Sequence, residues 1–159
     1  MKTATAVILG AGGALIFMVV AVMIMASPSV PHGEVDYNYT IDVQDSFIDK
    51  YGDTEKADVG KQFAIVICHI YNKTYDDKVT TNDLIWQMKL TLGGIQYHSS
   101  SWHTFLHPKY ALIDIPKGSD GVSVWIYEIP TGHTASEMGI DLKVLYTHAT
   151  INYDPSLPV

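Results

Sequence analysis

The 159-residue chain contains no arginine and one cysteine, Cys68. Nucleic-acid recognition leans on basic stripes and on the bidentate arginine fork, so a polynucleotide partner is not expected. A lone cysteine permits no intramolecular disulfide, and the fold must hold by packing alone. Phe63-Ala64-Ile65-Val66-Ile67 leads into Cys68 as an apolar strand pattern, which makes the thiol a core group rather than a reactive one. Positive charge is scarce as well: past Lys2 the chain carries nine lysines against seventeen acids, a net of −8 with histidine neutral. That balance disfavours acidic lipid headgroups and gives a solvated, mutually repulsive surface.

Charge of either sign is missing entirely from Thr3 to Ala26. At about 1.5 Å per residue such a run reaches about 35 Å as a helix, enough for a hydrocarbon core of roughly 30 Å. The expectation is a retained membrane anchor, since Ile24-Met25-Ala26 is a poor small-x-small cleavage site. Lys2 is the only nearby basic residue, which keeps the N-terminus cytoplasmic and places the remaining chain outside. Ala6, Gly10 and Ala14 recur every four residues, a small-residue face that suits helix pairing in the membrane. Asn38-Tyr39-Thr40 and Asn72-Lys73-Thr74 are N-glycosylation acceptor triplets, with Asn38 expected on a wet strand face.

After the proline-bearing stretch at 27–36, read as a linker, the periodicity becomes two. Tyr37, Tyr39, Ile41 and Val43 alternate with polar residues, the pattern of a half-buried strand. Gln62 to Tyr71 reads as a central strand, apolar on both faces. Leu84 to Leu92 alternates and runs through Gly93-Gly94 into Ile95-Gln96-Tyr97, a hairpin signal. Strand-like pieces follow at 111–115, 122–129, 140–146 and 147–153, and no helical stripe persists over several turns. Phe63, Ile65 and Trp86 are expected in the core. The organisation predicted is a cytoplasmic tip at 1–2, a transmembrane helix at 3–26, the linker, a β-domain at 37–153 and a tail at 154–159. The fold class is all-β: an immunoglobulin-like antiparallel β-sandwich of about seven strands, preceded by the one N-terminal transmembrane helix.

Several short motifs carry a resemblance. Gly60-Lys61-Gln62-Phe63 opens a strand ending at Asn72, Asn82-Asp83-Leu84 opens another that reaches Gly93-Gly94 and Tyr97, and Ile115-Pro116-Lys117-Gly118 leads to Tyr127-Glu128-Ile129-Pro130. In these features residues 58–146 resemble the telokin-like, immunoglobulin-like domains of unknown function found behind membrane or lipid anchors in archaea and bacteria. The chain departs from them in Lys117 between Pro116 and Gly118, and in a histidine-bearing insert at 98–109. The resemblance implies a fold and an extracytoplasmic setting and carries no catalytic residues.

Four constellations of residues bear on possible chemistry. His98, His103 and His107 lie within ten residues and offer three imidazoles to zinc or copper, but their spacing is not diagnostic and a loop with Ser99-Ser100-Ser101 disfavours ordered ligands. Ser100 near His98 lacks a nucleophile elbow. Asp42, Asp45, Asp49 and Asp53 lack calcium-loop spacing, and Cys68 lies too far upstream of His133 and Met138 for blue copper. The expectation is therefore a non-enzymatic, cofactor-free, membrane-anchored surface protein that binds or scaffolds a protein partner or associates with itself. A pilin-like filament subunit and an accessory single-span subunit are the alternatives.

Overall fold

The computed structural model describes residues 32–81, 88–142 and 149–159, all within one unit, Pro31–Val159. Among these residues the secondary structure is mainly β. The strands are β1 (Gly33–Gln44), β2 (Ser46–Ile48), β3 (Thr54–Lys56), β4 (Lys61–Asn72), β5 (Val79–Thr80), β6 (Met88–Leu92), β7 (Ile95–His98), β8 (Asp114–Ile115), β9 (Ser119–Pro130), β10 (Met138–Leu142) and β11 (Ala149–Tyr153). One short helix, α1 (Ser101–Leu106), lies between β7 and β8.

A four-stranded sheet runs in the order β11, β1, β4, β9, and a three-stranded sheet in the order β10, β6, β7. Alternation decides how they meet. Ala64, Val66, Cys68 and Ile70 of β4, with Trp125, Tyr127 and Ile129 of β9, share one buried cluster with Met88, Leu90, Leu92, Ile140 and Leu142 of the second sheet. Tyr127 Oη donates to the Met88 carbonyl at 3.3 Å and Tyr39 Oη accepts from Ile140 N at 3.3 Å, which fixes the two sheets across that core. The odd residues of β4 face the other way: Phe63 and Ile65 join Phe47, Val124 and Ile126 in a second, smaller core on the outer face. A strand buried on both faces reads as a continuous apolar run, as β4 does.

Glycine decides two local geometries. Gly93 and Gly94 both take positive φ, 57° and 80°, the conformation of a two-residue hairpin turn with the twist that the flanking β6 and β7 require. At Gly121 a Cβ would sit 2.4 Å from Ile113 Cδ1, so a larger residue there would require the Ile113 side chain to shift from its place over β9.

The all-β expectation holds in this coarse form, and the details differ. β11 pairs with β1 in parallel, with Val35 opposite Ile151, so the four-stranded sheet is mixed rather than antiparallel. Residues 33–36, expected as the end of a linker, belong to β1 instead, where Val35 is buried opposite both Asn72 and Ile151. The 98–109 insert, expected as an irregular loop, holds α1. Among the described residues no helix is long and apolar enough to cross a membrane. The apolar run 3–26, with Ala6, Gly10 and Ala14, lies outside the described residues, as does Trp86.

Candidate functional site

The outer face of the four-stranded sheet carries the polar clusters and the exposed aromatics. Its half near Gln44 is covered by α1 and by the β2–β3 hairpin. α1 starts because Ser100 caps it, its Oγ accepting from His103 N at 3.4 Å, and it stops at His107, which precedes Pro108 and takes an extended backbone. The helix lies along the free edge of β9: Ser100 N donates to the Ile126 carbonyl at 2.7 Å, and Ile126 N donates to Thr104 Oγ1 at 2.9 Å. This closes a segment of backbone that would otherwise invite another strand. Asp49 shapes the hairpin turn, its buried Oδ1 accepting from Tyr51 N and Asp53 N at 2.8 Å each. Lys50 N then donates to the Leu106 carbonyl at 2.8 Å, tying hairpin to helix.

The outward side of this assembly is apolar and aromatic. Trp102 and Phe105, three residues apart on α1, are 64% and 46% exposed, and Tyr51 in the hairpin turn is 70% exposed. Lys50 Nζ sits 3.3 Å above the Phe105 ring and 5.5 Å from that of Tyr51, a cation shared between two rings. Tyr110 closes the group edge-on to Phe105 at 6.1 Å. None of these aromatics was singled out from the sequence; their signal was the i,i+3 spacing of Trp102 and Phe105 behind a capping serine.

The three histidines are not brought together. His98, on β7, contacts Lys89 on the neighbouring strand. His103 points inward against the Phe63 ring at 4.8 Å, with Ser100 Oγ 2.9 Å from its Nδ1. His107 packs on Phe47 at 5.4 Å, and burial pushes its pKa below the ordinary histidine value, with the Lys109 charge adding to the shift. Glu55 lies 3.7 Å from His103 Nε2 and Glu128 lies 3.9 Å from Nδ1, so the two carboxylates approach opposite edges of the ring. One ion cannot bind both carboxylates and the ring, and no group of three or more metal-ligating side chains converges among the described residues. Ser100 Oγ meets His103, not His98, and meets it as the cap of the same helical turn.

The acids considered for calcium have separate roles, Asp49 as the turn organiser and Asp42 opposite Ile65 on β4. Cys68 is buried, and burial raises its thiol pKa to about 12.

The two acceptor asparagines are buried as well, which corrects the wet-face expectation for Asn38. Asn38 Nδ2 donates to the Leu157 carbonyl at 2.7 Å beneath the C-terminal segment. Asn72 Nδ2 donates to the Asp77 and Ile115 carbonyls at 2.8 and 3.1 Å. A glycan on either nitrogen would displace these bonds.

His69, which the sequence did not mark, is buried with both ring nitrogens engaged: Nδ1 lies 2.6 Å from the Pro158 carbonyl and Nε2 lies 2.6 Å from Asp120 Oδ2. No family model, no curated protein and no solved structure matches the chain.

Proposed function

We propose that the chain is a non-enzymatic, membrane-anchored surface protein whose immunoglobulin-like β-domain binds a partner protein through Tyr51, Trp102 and Phe105. The observation that carries this reading is the exposure of these rings around Lys50. Large aromatics are enriched at the centres of protein interfaces, where they give much contact area for little lost rotamer freedom. The net of −8 past Lys2 repels a second copy and favours a partner with a basic rim. The apolar run 3–26 behind Lys2 supports the anchor, and two sheets about one core support the immunoglobulin-like assignment.

Site-specific photo-crosslinking of the full chain in its native membrane tests this. A benzophenone side chain at Phe105 is expected to give a discrete adduct, and the same group at Gln96 on exposed β7 is expected to give none. No adduct at Phe105, or equal adducts at both sites, would overturn the reading. An adduct between two copies of the chain would shift it to a filament or other self-assembling subunit.

A further inference from the structure

On the half of the outer face nearer Gly33, the covering element is the segment 154–159, and it is held in an unusual way. Asn38 and His69 are register partners on β1 and β4, so their side chains stand side by side on the same face. Asn38 Nδ2 donates to the Leu157 carbonyl at 2.7 Å and to the Pro155 carbonyl at 3.5 Å. A carbonyl oxygen can only accept, so His69 Nδ1 donates to Pro158 at 2.6 Å. Asp120, at the start of β9, lies 2.6 Å from Nε2 and fixes the ring in the plane that aims Nδ1 at that carbonyl. Two buried donors thus read three backbone carbonyls.

The segment arrives prefolded. Asp154 and Pro155 occupy the first two positions of a β-turn closed by Leu157 N donating to the Asp154 carbonyl at 3.2 Å. Asp154 Oδ1 also accepts from Ser156 N at 2.9 Å and from Ser156 Oγ at 2.7 Å. Asp154 N donates to the Tyr37 carbonyl at 2.8 Å, which joins the turn to β1. A ligand whose turn is set by its own Asp and Pro gives up little conformational freedom on docking. The segment's side chains add little packing, since Pro155, Ser156, Pro158 and Val159 are all exposed. An element held by a few carbonyl bonds rather than by an apolar interface opens locally at low cost.

We infer that Asn38, His69 and Asp120 form a binding site for a proline-bracketed turn of the Asp-Pro-Ser-Leu-Pro type, and that residues 154–159 fill it as an internal ligand. The site selects backbone carbonyls presented by a preformed turn, and Pro158 contributes an acceptor without a competing N–H. Because the internal copy is tethered, it outcompetes the same segment offered in solution at ordinary concentrations.

The test uses the full chain shortened after Tyr153 and a synthetic peptide of residues 154–159. Calorimetry is expected to show saturable one-to-one binding to the shortened chain, and binding at least about tenfold weaker to the intact chain. Asn38→Ala and His69→Phe in the shortened chain are each expected to weaken binding about tenfold. No binding to a shortened chain that still melts cooperatively, or equal binding to shortened and intact chains, would overturn the inference. Should the shortened chain fail to fold, the intact chain decides. With Cys68 buried, a Val159→Cys variant takes a nitroxide at that one position, and the label is expected to gain mobility in Asn38→Ala and in His69→Phe. Unchanged mobility in both would overturn it equally.

Discussion

Replacing Thr104 with valine tests whether α1 serves as the covering of an open sheet edge. β9 ends the four-stranded sheet, and at Ile126 its outward N–H has Thr104 Oγ1 as acceptor, 2.9 Å away. Thr104 is fully buried, so water cannot take over when the hydroxyl is gone. Thr104→Val keeps the side-chain shape and leaves one buried donor unpaired, which costs about 1–3 kcal/mol. In urea, at an m-value of roughly 1–3 kcal/mol/M for a domain of this size, a loss of about 2 kcal/mol lowers the midpoint by about 1 M. Thr104→Ser retains the acceptor and is expected to keep the Ile126 bond, losing only the methyl contribution. Native-state hydrogen exchange gives the independent readout: the Ile126 amide speeds up in Thr104→Val and not in Thr104→Ser. A valine variant within about 0.5 kcal/mol of the parent, or one with unchanged exchange at Ile126, would refute the edge-covering argument.

What the sequence made legible follows the range of the signal. The alternation in β1, the double-sided apolar run of β4 and the Gly93-Gly94 turn are local patterns, and each stands where the period placed it. α1 is six residues, under two turns, too short for a helical stripe to register. Its local marks are the Ser100 cap, the i,i+3 pair Trp102 and Phe105 and the stop before Pro108, and these compete with a serine-rich tract that reads as loop. The parallel pairing of β11 with β1 joins residues more than a hundred positions apart and has no local signature. The same holds for the tail site. His69 and Asp120 are 51 positions apart, and they meet only because β4 and β9 pair with Asp120 opposite Tyr71. Sequence spacing drew attention instead to His98, His103 and His107, which the fold sends to a strand, the inner face of a helix and a helix end. Asn38 misled in a related way: alternation correctly placed it opposite the inter-sheet core, but a wet face becomes buried once a distant segment lies over it.

Three further outcomes are expected. Trp125 is fully buried between the sheets and its Nε1 has no partner among the described residues, so Trp125→Ala should destabilise by about 3–5 kcal/mol while Trp125→Phe, which removes that donor, should cost far less. Urea melts check the order, and equal losses would contradict it. Cys68, with its pKa raised to about 12 by burial, should resist iodoacetamide at pH 8 until urea unfolds the domain; labelling of the folded state at the rate of a free thiol would contradict it. The last concerns pH. Burial lowers the folded-state pKa of His107 below its unfolded value of about 6.5, so the native state holds this ring neutral while the unfolded chain takes up a proton first. Its contribution to stability is therefore fully present above about pH 6.5 and is lost as pH falls from there toward the folded pKa. Asp58, Asp76, Glu137 and Asp154 are all held below the ordinary carboxylate values by hydrogen bonds, so their losses come at lower pH and leave the window from 7 to 5 open. His107→Gln keeps an acceptor for Lys109 N, which His107 Nδ1 receives at 3.2 Å, and carries no proton to gain. Stability measured between pH 7 and pH 5 should thus fall less steeply in His107→Gln than in the parent, whereas parallel slopes would show that His107 meets water in the folded state and that the outer-face core beneath α1 is not closed.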